Sequence, residues 1–243
     1  MQMGMSKKTV MIISIAATIA LIAVGGILLY NKYHRKSVGR SNPLQHIAAD
    51  GIDISHHNTV ANWDSLKVQF IYAKATEGKS HQDTKFENYR KNALEHGIPF
   101  GAYHFLSVDV SAKEQIENFK RMVPKDSTTL IPVLDVEQYT DRQKLKTLVA
   151  EWINECYNYY GVYPMIYGSP AFLYDILKGT PQIEKCPFWV SVIGTRNPSL
   201  KRGKMVQFKI DKVEGMEGEV DCNYLNGSLD ELRIKEETST ISE

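Results

Sequence analysis

The sequence predicts an α/β fold, an irregular (β/α) barrel of about five βα units followed by three strands. Three observations predict it. Eight short runs rich in β-branched and aromatic residues recur between residues 48 and 225. Helical patterns separate the first five, AADGIDIS, QFIYAKA, PFGAYHF, TLIPVLDVE and YPMIYGS. Short loops join the last three, FWVSVIG, MVQFKI and GEVDCNYL, which predicts antiparallel pairing for them.

The helices have readable ends. FENYRKNALEHG stops at Gly97 after His96. SAKEQIENFKRMV spaces Ile116, Phe119 and Met122 as a helix does. TDRQKLKTLVAEWINECYNYYG runs from an N-cap at Thr140 or Asp141 to a stop at Gly161. PAFLYDIL is the last helical pattern, and residues 228–243 read as a polar tail. The expected domain is therefore residues 47–227.

Ahead of it stands TVMIISIAATIALIAVGGILLY, residues 9–30, with no charged residue. A helix of that length spans the ~30 Å hydrocarbon core of a bilayer. A signal peptide has a shorter apolar region ending in small residues, whereas this run ends in LLYNKYHRK. The expectation is a single transmembrane helix after a short segment 1–8, followed by a basic, polar stalk at residues 31–46. Lys32, Arg35, Lys36 and Arg40 follow the span, against Lys7 and Lys8 before it. Counted alone, those charges hold the domain in the cytoplasm.

The formal net charge of +1 and the lack of a basic stripe argue against a nucleic-acid partner. Cys156, Cys186 and Cys222 form no CxxC pair, so the reading is three free, buried thiols, with a Cys186–Cys222 bridge as the alternative.

Carboxylates collect at the expected strand ends, where barrels of this kind place their chemistry. Asp53 falls on the first strand, Glu77 just past the second, Asp135 and Glu137 on the fourth, and Asp221 on the last. Asp135 and Glu137 are two residues apart, so both project from one face. Glycosidic cleavage needs a protonated acid for the leaving oxygen and negative charge beside the developing cation, and two carboxyls supply both. The longer Glu137 is read as the general acid and Asp135 as the ionised partner. Asp53 and Asp221 add negative potential that raises the acid's pKa. An Asp-x-Glu triplet by itself usually marks a solvated strand end; here the buried run LIPVL leads into it. A hard metal ion is the rival occupant of such a cluster. The chain offers no other metal-ligand spacing, so no metal and no cofactor are expected.

GIDISHHN at 51–58, YAKATEG at 72–78, GAYHF at 101–105, PVLDVE at 132–137 and VDCNYLNG at 220–227 resemble the family-25 glycoside hydrolases, the muramidases or lysozymes of bacteria and their phages. The resemblance implies a flattened (β/α)5(β)3 TIM-like barrel. It also implies cleavage of the β-1,4 bond between N-acetylmuramic acid and N-acetylglucosamine. Carried across, Glu137 resembles the general acid, Asp135 its partner carboxylate, and Asp53 and Asp221 the further acids of the pocket. The implied partner is the peptidoglycan glycan strand, cut by a monomeric domain. That substrate places the domain in the periplasm or outside the cell, against the flanking-charge count. The chain departs from the family in having Val206-Gln207-Phe208 where Trp-Gln-Tyr is usual, and in its FWVSVIG strand.

Tyr103, Tyr167, Trp189 and Phe208 are candidate sugar-stacking residues, with core packing the alternative. Lys74 and Glu77 read as an ion pair at the pocket wall or as substrate contacts, and Gln207 as a group that hydrogen-bonds a sugar or a catalytic carboxylate. His104 alternates away from Tyr103 and reads as a barrel histidine, while His56 and His57 rim the site. Two other functions fit the same scaffold: a peptidoglycan-binding or tethering protein without activity, and a hexosaminidase acting on chitin-like glycans. Retention of four uncompensated acids favours the enzyme.

Overall fold

The computed structural model of the chain describes residues 48–194 and 202–234. The chain divides into two compact units, residues 1–45 and 46–243. The expected membrane segment 9–30 and stalk 31–46 lie outside the described residues. Among the described residues no helix is long and apolar enough to cross a membrane.

The strands are β1 (Gly51–Ile54), β2 (Thr59–Val60), β3 (Phe70–Glu77), β4 (His81–Gln82), β5 (Phe100–Phe105) and β6 (Val133–Asp135). They continue with β7 (Met165–Gly168), β8 (Phe188–Ser191), β9 (Gly203–Lys212), β10 (Met216–Glu217) and β11 (Glu219–Leu225). The α-helices are α1 (Phe86–Glu95), α2 (Ala112–Met122) and α3 (Arg142–Tyr160); a π-helical turn covers Ala171–Ile176. The main sheet runs β1-β11-β9-β8-β7-β6-β5-β3-β4, and pairing of β1 with β3 closes eight of these strands into a barrel.

The helix ends follow the sequence chemistry. Asp141 caps α3 by accepting from the backbone N–H groups of Gln143 and Lys144, and Gly161 ends it at φ 74°. Ser111 caps α2 through the N–H of Glu114. These caps satisfy donors that a helix start otherwise leaves unpaired, worth about 1 kcal/mol each.

Two expectations are corrected. Residues 55–69, between β1 and β3, hold turns and β2 but no α-helix. Instead β2 pairs antiparallel with β10, and the Ala61 and Asn62 N–H groups donate to Gly215 O. The last three barrel strands are also not all antiparallel: β8 and β9 are parallel, and only β11 runs against its neighbours. Residues 192–202 give enough chain to return along a four-residue strand before β9 begins.

Alternation sorts the barrel interior into two levels. Phe70, Tyr72, Val133, Met165, Trp189, Met205 and Leu225 fill the lower level as one apolar cluster. Glycines make room for the larger rings. A Cβ on Gly51 would lie 2.3 Å from the Phe70 ring, and one on Gly101 would lie 2.2 Å from Tyr72. The floor is closed by the segment after β11, with Leu232 buried and the Ile131 N–H donating to Leu232 O at 2.8 Å. Residues 228–234, expected to begin a polar tail, therefore pack against the barrel, while 235–243 lie outside the described residues. One step of two residues up each strand, the interior becomes polar.

Candidate active site

The parallel strands deliver their upper inward residues to one open-mouthed cleft of about 260 Å³. Asp53, Asp135, Glu137 and Asp221 all line it, with Lys74, Tyr103, Tyr167, Trp189 and Gln207. These nine candidates from the sequence thus share one cleft. Glu77 is not among the lining residues. It stands beside them as the partner of Lys74, whose ammonium donates to Glu77 Oε2 at 2.6 Å.

Register explains the convergence. Asp53 of β1 faces Asp221 of β11 as its antiparallel partner. Asp135 is level with Phe105 of β5 and Tyr167 of β7. Beyond β6, the Val136 N–H donates to Tyr167 O at 3.0 Å, which carries the strand's alignment on towards Glu137.

Asp53 is held by a branched hydrogen-bond network. Asn223 Nδ2 donates to Asp53 Oδ2 at 2.7 Å, and Gln207 Nε2 donates to it at 3.3 Å. Both amides are themselves oriented. Trp189 Nε1 donates to Asn223 Oδ1 at 2.8 Å, and indole N–H has no acceptor role, so the amide nitrogen of Asn223 must point at Asp53. The Tyr167 and Ser191 hydroxyls donate to Gln207 Oε1 at 2.9 and 3.1 Å, with the same consequence. Asp135 differs. Its Oδ1 is buried and has no hydrogen-bond partner among the described residues.

Burial and neighbouring charge raise the pKa values of Asp53, Asp135 and Asp221. Burial, then the Asp221 charge, push the Asp53 pKa up to about 8, against the pull of Asn223 and Gln207. Burial raises Asp135 well above the usual carboxylate range, helped by Glu137 and Asp53 and opposed by Lys74. Asp221 is raised by burial and by Glu137. Desolvation favours the protonated form of Asp135 in the protein alone, and a donor placed on its unpaired oxygen would favour the ionised form expected from the sequence.

The aromatic expectations divide. Tyr103 and Tyr167 line the cleft. Trp189 lines it too but is only 2% exposed, packed between Tyr72 and Tyr167 at ring-centroid distances of 5.3 and 5.0 Å. It is a back wall, not an open stacking platform. Phe208 is fully buried and absent from the lining, because it points away from the interior that Gln207 faces. His104 is the satisfied barrel histidine expected. Its Nδ1 is 2.7 Å from Thr76 Oγ1 and its Nε2 is 3.1 Å from Gln115 Oε1. Burial lowers its pKa to about 4. His57 lines the cleft, whereas His56 is turned to Asp83, with Nδ1 2.8 Å from the carboxylate.

Sequence reasoning missed Asn223, Ser191, Ser55, Phe105 and Val133. Asn223 was findable, since it lies two residues beyond Asp221 and so shares its face. Among the described residues no group of three or more His, Cys, Asp or Glu side chains is arranged to hold a metal ion. Cys156, Cys186 and Cys222 are buried free thiols.

The family model "Glycosyl hydrolases family 25" matches residues 52–211. The chain is 30% identical over 197 residues to the uncharacterized protein YegX of Escherichia coli (strain K12), covering 75% of this chain and 71% of that protein. It is 30% identical over 211 residues to Lysozyme M1 of Streptomyces globisporus, covering 78% of this chain and 72% of that one. The crystal structure of the bacterial lysozyme from Streptomyces coelicolor superposes with a TM-score of 0.69 at 27% identity, over 77% of this chain and 96% of that one. The chain is a glycoside hydrolase and belongs to family 25.

Proposed function

We propose that the protein is an N-acetylmuramidase that hydrolyses the β-1,4 bond between N-acetylmuramic acid and N-acetylglucosamine in peptidoglycan. One observation carries this reading: four carboxyls meet in a cleft, and one of them, Asp135, holds a buried acceptor oxygen with no partner among the described residues. Such an oxygen is costly unless a ligand donates to it. The N–H of a 2-acetamido sugar is a donor of the right kind. The lysozymes among its relatives support the same substrate.

In this reading Glu137 gives its proton to the glycosidic oxygen as the bond to the anomeric carbon breaks. The acetamido carbonyl oxygen forms the new bond to that carbon, while Asp135 accepts from the acetamido N–H and offsets the positive charge that develops. Water then opens the cyclic intermediate, and Glu137 takes its proton back. Asp221 adds negative potential around the reacting carbon, while Asp53, whose proton burial retains, holds Gln207 and Asn223 in place. Residues 9–30 anchor the chain in the membrane, with the domain on the side where peptidoglycan lies.

The test incubates the full chain, expected in the membrane fraction, with purified peptidoglycan and analyses the released sugars by mass. New reducing-end muramic acid is the expected product. Reducing-end glucosamine, or tight binding with intact walls, overturns the assignment. Glu137→Gln should lower turnover about a thousandfold with the fold intact.

A further inference from the structure

The β-bulge in β9 decides which side chain borders the cleft along its β11 wall. The register steps from Lys209 opposite Cys222 to Gln207 opposite Asn223, so Phe208 is the extra residue. In a regular strand with Gln207 inward, Lys209 would face inward next and Ile210 outward. The bulge reverses this. Lys209 lies opposite Cys222, 8% exposed, with its ammonium 2.8 Å from the Asp211 carboxylate. Ile210 comes directly opposite Asp221 instead. Directly opposed residues of an antiparallel pair share a face. Asp221 lines the cleft, so Ile210 faces the same way, outside the lining residues and 58% exposed.

A single exposed isoleucine is ordinary. This one is placed by a backbone irregularity that removes a lysine from the same position. A lysine there would pair with Asp221 and dilute the acid cluster. The neighbouring groups, Asp53, Asp221, Gln207 and Asn223, suit hydroxyls and amides but offer nothing to a methyl group.

We propose that Ile210 is a specificity-determining residue that packs against a methyl-bearing acyl substituent of the bound glycan. The inference rests on the muramidase reading. Two sources of that methyl exist, the acetamido group of either sugar and the lactyl-alanyl arm of muramic acid.

The experiment compares the full-length wild type with Ile210→Ser and Ile210→Lys. The substrates are intact peptidoglycan and peptidoglycan stripped of its stem peptides and lactyl arms, which leaves acetamido sugars alone. Ile210→Ser should raise KM about tenfold with kcat and Tm unchanged, since the side chain is exposed in the free enzyme. A rise on both substrates assigns the methyl to the acetamido group; a rise on intact peptidoglycan alone assigns it to the lactyl-alanyl arm. Ile210→Lys should move the pH–rate profile to lower pH by roughly half a unit, because its ammonium would face Asp221. Wild-type KM in Ile210→Ser on both substrates, or an unmoved pH profile in Ile210→Lys, overturns the inference while leaving the muramidase reading standing. A wild-type chain that cuts neither substrate overturns both.

Discussion

Asp53 and Asp135 are buried carboxyls in one cleft, and its two walls treat them differently. On the wall of β1, β9 and β11, Asp53 accepts from two amides whose own carbonyls are pinned by Trp189, Tyr167 and Ser191. On the β6 wall, Asp135 keeps a buried oxygen with no partner among the described residues. A buried carboxyl costs free energy in proportion to what it fails to bond. The protein offsets that cost at Asp53 and leaves it standing at Asp135. The comparison teaches that Asp53 belongs to the preorganised frame, while Asp135 is completed by the ligand.

The sharpest way to break the comparison is Asp135→Asn. The amide keeps the shape and removes the charge that the reaction needs nearby. We expect kcat to fall about a hundredfold, as for loss of one electrostatic stabiliser. Folding stability should hold or rise, because no group among the described residues bonds Asp135 Oδ1. A drop in Tm alongside the loss of activity would mean that Asp135 is a frame residue after all.

Asp53→Asn reads the other wall, through stability. Unfolded, this aspartate titrates near 3.8, and in the fold near 8. Between those values the folded chain keeps a proton that the unfolded chain releases, so stability falls as pH rises from about 4 to about 8. Asparagine removes that dependence. The variant should gain about 1–2 kcal/mol at pH 8 and less at pH 5, with activity down about tenfold. Thermal unfolding across that range checks it, and an equal gain at both pH values would remove burial of the charge as the cause.

Much of this frame was legible before any coordinates. Strands announce themselves by β-branched runs, and inward residues by period two, so Asp53, Asp135, Glu137 and Asp221 fell into place together. Period two also marks the limit. Phe208 was expected in the cleft on composition, although alternation from Gln207 turns it away; what period two could not show is the bulge that turns Lys209 outward. A second register shift, between Lys74 and Thr76, interrupts the alternation ahead of Glu77, which joins Lys74 without lining the cleft. The missing helix after β1 has the same kind of cause. Residues 55–69 are held by long-range partners, such as Tyr89 donating to Asn58 O at 2.6 Å, and no local pattern encodes those contacts. Likewise Asn223 acquires its meaning from Trp189, 34 residues earlier in the chain.

That last contact gives the finest adjustment of the comparison. Trp189→Phe keeps an aromatic wall against Tyr72 and Tyr167 but deletes the indole N–H. Asn223 Oδ1 then loses its donor in a buried site, which costs about 1–3 kcal/mol of stability, and the amide is free to turn its oxygen towards Asp53. Turned that way it repels the carboxylate it once held, so Asp53 should titrate higher still. The expected activity loss is only a few-fold, with the pH–rate profile displaced to higher pH. The decisive measurement is the double variant. In the Asp53→Asn background there is no carboxylate to repel, so Trp189→Phe should leave the pH profile where the single Asp53→Asn variant has it. A displacement that persists there would place the effect of Trp189 on Asp135 or Glu137, and the two walls would no longer be separable.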